Sequence, residues 1–116
     1  EVLAARAAGD AAAAAALDVY VHRLRRELAG MVAALGGVDV VAFTGGVGEH
    51  AAEVRAAAVD GLGFLGLALD PDRNAATDGD GDVTAAAGAT ARTVVVTARE
   101  ELEVARGVRE RLSRAG

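Results

Sequence analysis

The most constraining feature of the chain is a short apolar run that leads directly into a glycine-rich turn. Residues 38–43 are rich in β-branched side chains and predict a buried strand. Thr-Gly-Gly-Val-Gly follows at 44–48, and a helix-forming stretch then runs from Ala51 to Val59. Main-chain N–H groups at such a junction can face a phosphate, because glycine has no Cβ to hold a ligand away. The pattern therefore predicts a nucleotide site at residues 45–50.

A long amphipathic helix precedes this strand. Asp10 is a favourable N-cap, and Gly36-Gly37 predicts a left-handed C-cap just after Leu35. Apolar residues recur between these limits at three- and four-residue steps and form one stripe: Leu17, Tyr20, Val21, Leu24, Leu28, Met31, Val32 and Leu35. The helix is long for a chain of 116 residues. We therefore expect part of the stripe to face a partner subunit.

The second half of the chain contains one further clear strand, at Thr93–Thr97. Residues 73–91 are predicted to form a loop with one short edge strand near Val83, after a possible short strand at Leu67–Leu69. A final helix is predicted from about Ala98 to Ser113. Its expected inward-facing residues are Leu102, Ala105, Val108 and Leu112.

This order of elements predicts an α/β fold with parallel strands flanked by helices. Only two strands are strong, and the chain begins with Glu1 in a stretch, Glu1–Ala8, that itself reads as helix. We therefore expect residues 1–116 to be the C-terminal portion of a larger nucleotide-binding domain whose N-terminal part lies outside this sequence.

Composition excludes several classes of protein. The net charge is −5 and the isoelectric point about 4.9, so the chain has no electrostatic footprint for nucleic acid. All twelve basic residues are arginine, which excludes a P-loop because that motif needs a lysine. Cysteine is absent, so disulfides and cysteine-based zinc sites are excluded. No apolar run is long enough for a membrane span and no signal peptide is evident, so we expect a cytoplasmic protein.

Glu100 has two interpretations. Thr97-x-x-Glu100 is a capping box, in which Glu100 would only stabilise the start of its helix. Parallel strands, however, place the residues after Phe43 and those after Thr97 at the same edge of a sheet, where α/β proteins bind ligands. A carboxylate there could hold Mg²⁺ beside a nucleotide phosphate, partly through water. His50 lies at the same predicted site, whereas His22 is expected to be a surface or interface residue of the long helix.

Two other motifs are weaker. Gly46-x-Gly48-x-x-Ala51 also fits a Rossmann dinucleotide fingerprint, with Asp70 in the place of the ribose-binding acid, but a long helix precedes the strand. Asp78-Gly-Asp-Gly-Asp82 resembles the beginning of a calcium loop. However, Val83 stands where such a loop needs a glycine, and Ala89 stands where it needs a glutamate. We expect a solvated loop there.

The chain resembles the C-terminal region of the acetate and propionate kinase family. The residues that carry the resemblance are Phe43-Thr-Gly-Gly-Val-Gly-Glu-His50, Ala52-Glu-Val-Arg55, Gly61-Leu-Gly-Phe-Leu-Gly66, Leu69-Asp70, Arg73-Asn74 and Glu100-Glu-Leu-x-x-Ala-Arg106. The resemblance implies an actin-like ATPase fold and a cytoplasmic homodimer. It also implies transfer of the ATP γ-phosphoryl group to a short-chain carboxylate, with Mg²⁺, giving an acyl phosphate and ADP.

The resemblance also implies roles for particular residues. Gly45, Gly46, Val47, Gly48, Glu49 and His50 correspond to the strip that contacts the nucleotide, and Glu100 corresponds to a magnesium-associated glutamate. His50 stands where asparagine is usual, and Ala98-Arg99 stands where Thr-Asn is common. No catalytic residue is assigned within the chain, because the family's catalytic groups belong to segments that precede Glu1. The isolated chain is therefore expected to be inactive.

Two alternatives remain open from the sequence. The first is the small Rossmann-type domain that binds a nicotinamide dinucleotide. The second is a non-catalytic dimerisation module built on the helix Asp10–Leu35.

Overall fold

A computed structural model describes all residues, 1–116, as six α-helices and three short strands. The helices are α1 (Val2–Ala7), α2 (Ala11–Leu35), α3 (Gly45–His50), α4 (Ala52–Asp60), α5 (Pro71–Ala76) and α6 (Glu100–Ala115). The strands are β1 (Val40–Phe43), β2 (Gly81–Asp82) and β3 (Arg92–Val95), and a single 3₁₀ turn occupies Gly63–Leu65. None of these helices is both long enough and apolar enough to cross a membrane.

The strands form one mixed sheet in the order β1-β3-β2. Strands β1 and β3 are parallel, with Val40 opposite Arg92 and Phe43 opposite Val95. The predicted α/β class and the parallel pair are therefore confirmed. The short edge strand predicted near Val83 is β2, which pairs antiparallel with β3. The possible strand at Leu67–Leu69 is reduced to a single bridge between Leu69 and Thr84.

Helix α2 has the limits that its caps predict. The Asp10 Oδ1 atom accepts hydrogen bonds from the N–H groups of Ala12 and Ala13, and Gly36 closes the helix with a φ of 77°. The first half of the stripe is buried at Leu17 and Val21. In the second half Leu28 packs partly against the core, whereas Met31 and Leu35 are 55% and 80% exposed.

Two clusters of buried apolar residues form the core. The larger one joins β1, α4 and the connections around them: Val41, Phe43, Ala58, Val59, Leu62, Leu67 and Ala91. The smaller one packs α2 against α4 through Leu17, Val21, Ala51 and Val54. These contacts fix α4 directly behind the residues that follow β1.

The prediction of a loop from residue 73 onward is wrong at its beginning. Helix α5 occupies Pro71–Ala76, with the Asp70 side chain accepting from the N–H groups of Asp72 and Arg73. An aspartate N-cap followed by proline at the first helical position is a helix-start signal. The Asp70-Pro71 pair carries this signal, although the Ala-, Gly- and Asp-rich composition of residues 73–91 is typical of a loop.

The prediction for the last helix is wrong in its orientation. Helix α6 begins at Glu100 rather than Ala98 and has no buried residue. The four residues expected to face inward are all exposed: Leu102, Ala105, Val108 and Leu112. The sequence correctly gives an amphipathic helix, but within residues 1–116 nothing covers its apolar stripe.

Candidate functional site

The candidate site lies at the edge of the sheet where β1 and β3 both end. Phe43 and Val95 are opposite each other in the parallel pair, and the Val96 N–H donates to the Phe43 carbonyl oxygen at 2.9 Å. The chain leaves this edge twice, at residues 44–50 and at residues 96–100. The sequence-based expectation that these two segments share one sheet edge is confirmed.

Residues Gly45–His50, called the glycine segment below, form the short helix α3 rather than an open turn. Gly45 has a φ of +76°, a conformation that favours glycine and makes the sharp bend out of β1. A Cβ at Gly48 would lie 3.2 Å from the main-chain carbonyl carbon of Phe43, so α3 packs closely on the strand end. A Cβ at Gly46 would meet no heavy atom within 4 Å. The segment thus has one packed side and one open side.

The Glu49 carboxylate points inward and joins the two strand ends. Its Oε1 atom accepts hydrogen bonds from the Gly45 N–H at 3.0 Å and from the Ala98 N–H at 2.7 Å. Its side chain is only 12% exposed. The neighbouring His50 side chain is 74% exposed, with Nε2 3.9 Å from the Glu49 Oε2 atom. Of these two predicted site residues, only His50 directs its side chain to solvent.

A buried arginine supports the other end of the glycine segment. The Arg55 Nη1 atom donates to the carbonyl oxygens of Gly48 and Glu49, each at 2.8 Å. Its Nε and Nη2 atoms donate to the side-chain and main-chain oxygens of Asn74 at 2.7 and 2.9 Å. Burial lowers the pKa of the Arg55 guanidinium from its usual value, although arginine stays charged at neutral pH.

Arg55 and Asn74 were not predicted from the sequence to form a pair. The signal for Arg55 was its helical position, since it shares the buried side of α4 with Val54, Ala58 and Val59. A charged residue on an apolar helix face indicates a specific set of partners. Nothing in the sequence identifies Asn74 as that partner, because the two residues lie nineteen positions apart on different helices.

The capping box predicted at Thr97-x-x-Glu100 is not formed. The N-cap of α6 is Arg99, and it makes no side-chain capping bond. The Thr97 N–H instead donates to the Asp80 Oδ1 atom at 2.7 Å, and the Asp80 Oδ2 atom lies 2.7 Å from an Arg99 nitrogen. These contacts, first the Thr97 main-chain hydrogen bond and then Arg99, lower the pKa of Asp80 from 3.8 to about 2.

The acidic stretch at residues 78–82 is therefore more ordered than the expected solvated loop. Besides Asp80, Asp82 accepts from the Thr84 N–H at 2.9 Å and pairs with Arg92 at 2.9 Å. Its hydrogen bonds from Thr84, followed by that from Arg92, hold the pKa of the Asp82 carboxyl below its usual range. Both carboxylates tie the stretch to β3 and to the residues after it.

Glu100 is exposed at the first position of α6 and belongs to no cluster of three metal-binding side chains, of which the structure has none. Mg²⁺ commonly keeps several waters and takes one or two protein carboxylates. A single free carboxylate at the sheet edge fits that requirement in part, as one of the ligands and not as a complete site.

An apolar groove adjoins the glycine segment. It has a volume of about 360 Å³, and Val47, Ala51 and Val54 line one wall. The opposite wall consists of Leu17 and Tyr20 from α2 together with the first three residues of the chain. The glycine segment thus contributes one residue, Val47, to an apolar groove.

Comparison with known proteins gives a consistent result. A sequence profile of the Acetokinase family matches residues 1–106. Acetate kinase from Gloeobacter violaceus is 47% identical over 106 residues, which are 91% of this chain and 26% of that protein. The chain spans about a quarter of the length of the relatives it matches.

Solved structures agree with the sequence relatives. The crystal structure of Porphyromonas gingivalis acetate kinase superposes with a TM-score of 0.84 and 30% identity, covering 92% of this chain and 27% of that one. A propionate kinase from Francisella tularensis superposes with a TM-score of 0.78 and 28% identity, covering 87% and 25% of the two chains. The fold is thus that of these kinases, and the profile match decides against the Rossmann alternative.

Proposed function

The chain belongs to the acetokinase family, and on that premise we propose that it supplies the nucleotide-binding wall of an acetate kinase. The reaction is transfer of the γ-phosphoryl group of ATP to acetate, giving acetyl phosphate and ADP. The nucleotide contacts are assigned to Gly45, Gly46, Val47, Gly48, Glu49 and His50. The acceptor is a short-chain carboxylate, in keeping with the similarity to acetate and propionate kinases.

The observation that carries the proposal is the two-sided glycine segment. Its packed side is fixed by Gly48, by the Glu49 carboxylate and by Arg55, while its open side at Gly46 leaves the main chain accessible. A phosphate or ribose can approach that side closely because no side chain is in the way. The apolar groove beside Val47 provides a surface for the adenine ring.

Glu100 is proposed to bind the Mg²⁺ that accompanies the nucleotide. When bound, Mg²⁺ would neutralise charge on the phosphate oxygens during transfer. The Glu100 side chain makes no hydrogen bond or ion pair within the chain, so its carboxylate is available. Arg99, which stands beside it, is paired with Asp80 and so directs its guanidinium to that carboxylate.

The chain does not contain a complete phosphotransfer site. Phosphoryl transfer depends on several groups that position the reactants and stabilise charge. Residues 1–116 provide the glycine segment and one free carboxylate, but no paired acid and base near them. We therefore propose that residues elsewhere in the polypeptide complete the cleft and that the isolated chain does not turn over acetate.

The proposed protein is a cytoplasmic homodimer. Support for a dimer comes from the second half of α2, where Met31 and Leu35 of the apolar stripe are exposed. If sedimentation instead shows a dimer that is indifferent to nucleotide, and no turnover is found, the non-catalytic dimerisation module becomes the better interpretation.

The test uses the whole polypeptide that carries residues 1–116. We expect it to form acetyl phosphate from acetate and ATP, detected as the hydroxamate, and to be stabilised thermally by ADP with Mg²⁺ but not by NAD. Glycerol and glucose serve as control acceptors. Turnover only with one of those acceptors would refute the proposed reaction, and stabilisation only by NAD would refute the nucleotide assignment.

A further inference from the structure

Arg55 is the only charged residue among the seventeen that are buried, and it is 1% exposed. None of the ion pairs in the structure includes it. All three guanidinium nitrogens are nevertheless used, by four oxygen acceptors that are all uncharged. A buried charge is unfavourable unless hydrogen bonds compensate it, so the position of Arg55 depends on these four contacts.

Two of the four acceptors belong to the glycine segment. The carbonyl oxygens of Gly48 and Glu49 lie in the last turn of α3, where a helix has no internal donors for its C=O groups. Arg55 supplies those donors from α4, and its positive charge suits the negative end of the α3 dipole. The segment is thereby held at its C-terminal end, just as the Glu49 carboxylate holds its beginning at Gly45.

Asn74 fixes Arg55 in turn. Its Oδ1 atom and its carbonyl oxygen both accept from the guanidinium, and its Nδ2 atom donates to the Ala52 carbonyl oxygen at 2.8 Å. Asn74 is itself buried and belongs to α5. Helix α5 is thus connected to the glycine segment indirectly, through Asn74 and then Arg55.

We propose that Arg55, held by Asn74, is a positioning residue that sets nucleotide affinity by ordering the glycine segment before the ligand arrives. The inference rests on the proposed function of that segment. Three of the six residues are glycine, which has the largest conformational freedom to lose on ordering. Restraints present in the free protein reduce the ordering that binding must otherwise accomplish. Arg55 touches no substrate in this scheme and acts only through main-chain carbonyls.

The experiment compares Arg55→Met with a matched control, Arg25→Met, in the whole polypeptide. Arg25 also donates its Nε and Nη2 atoms to a main-chain carbonyl, that of Ala57, but this contact joins α2 to α4 and does not involve the glycine segment. Both variants remove one arginine that joins its own helix to a neighbouring helix. Only the first should change the nucleotide site.

For Arg55→Met we expect at least a tenfold increase in the Kd for MgADP by calorimetry and in the KM for ATP. The KM for acetate should stay within twofold of wild type. Arg25→Met should leave all three values within twofold of wild type, even if it lowers the melting temperature as much as Arg55→Met does. Arg55→Lys, which keeps the charge and can reach fewer acceptors, should give an intermediate Kd. A folded Arg55→Met protein that binds MgADP as wild type does overturns the inference.

If Arg55→Met does not fold, Asn74→Ala tests the same idea by releasing the guanidinium from α5, with an expected three- to tenfold increase in Kd. An unchanged Kd for a folded Asn74→Ala protein overturns the inference.

Failure of the proposed function is distinguishable, because wild-type protein would then bind no ADP. In that case hydrogen exchange of the amides at residues 46–51 decides. Faster exchange in Arg55→Met than in Arg25→Met still supports the ordering role, and equal exchange overturns it.

Discussion

The glycine segment and helix α6 leave the same edge of the sheet, yet they are held in very different ways. The glycine segment is fixed from behind by the Arg55 guanidinium and the Glu49 carboxylate, and Gly48 packs on the end of β1. Helix α6 has no buried residue, and its connection to β3 is secured mainly by Asp80. Sheet topology therefore brings the two together, but only the first has its orientation set by contacts within the chain.

This difference separates the two halves of the proposed site. The proposed main-chain contacts to a nucleotide are pre-organised within residues 1–116, because partly buried hydrogen bonds of Glu49 and Arg55 support them. The position of Glu100 depends on α6, whose apolar stripe requires a cover that these residues do not supply. Nucleotide binding should therefore depend on groups in this chain, and metal placement on what α6 packs against.

The largest expected effect contrasts one leucine from each environment. Leu62 is 2% exposed within the main core cluster, and Leu102 of α6 is 59% exposed. Leu62→Ala should lower the free energy of unfolding by about 2–5 kcal/mol, because it removes buried contacts and leaves a cavity. Leu102→Ala should change it by no more than about 0.5 kcal/mol. Urea unfolding of the 116-residue chain measures the free energy of unfolding of both variants. Loss of the cooperative transition in Leu62→Ala alone would also agree with the prediction.

The same pair of variants in the whole polypeptide sharpens the comparison. If Leu102→Ala becomes strongly destabilising there, then α6 is covered by another part of the protein. If it is strongly destabilising already in the 116-residue chain, the exposed orientation of α6 is contradicted and the two regions are not as different as described.

The sequence predicted most accurately where one short pattern contains all the relevant physics. The limits of α2 follow from the Asp10 cap and from Gly36, and the parallel pair follows from two β-branched runs separated by a helix. Prediction from the sequence failed where a contact with a residue far away in the chain determines the structure. Periodicity shows that α6 has an apolar stripe but cannot show what covers it, and the partnership of Arg55 with Asn74 spans nineteen positions. For the site, the sequence and the resemblance indicated the glycine segment but not its support.

A smaller effect is expected from two valine substitutions within the glycine segment. Gly48→Val places its Cβ 3.2 Å from the Phe43 carbonyl carbon. Because that atom belongs to the main chain of β1 and cannot easily move away, we expect about 1–3 kcal/mol of destabilisation. Gly46→Val points into open space, and the helix propensities of glycine and valine are similar, so stability should hardly change. Thermal or urea unfolding of both variants makes the comparison.

Gly46→Val should have its effect on binding instead. In the whole polypeptide we expect its affinity for ADP to fall at least tenfold in calorimetry, because the added side chain blocks the open side of the segment. Unchanged affinity would count against the assigned contact surface. Equal destabilisation by the two valines would mean that the segment does not have one packed and one open side.

The smallest expected effect concerns the link that holds the start of α6. The pKa of Asp80 is lowered from 3.8 to about 2, chiefly by the hydrogen bond from the Thr97 main-chain N–H and next by Arg99. A carboxyl whose pKa is lower in the folded state stabilises that state above its unfolded pKa, and this contribution is lost as the pH falls toward the folded value. The link should therefore persist at pH 3 and weaken near pH 2.

An NMR titration of the Asp80 carboxyl carbon and the Thr97 amide tests this expectation, with Asp80→Asn as the control that cannot titrate. At pH 3 the wild-type carboxyl should still be mostly ionised and the Thr97 amide signal unmoved. Added salt should shift the midpoint only slightly, because the largest cause is a direct main-chain hydrogen bond and salt screens mainly the longer-range attraction of Arg99. A midpoint near 3.8 would mean that α6 begins without this support, so that the contrast with the glycine segment is even greater than the structure indicates.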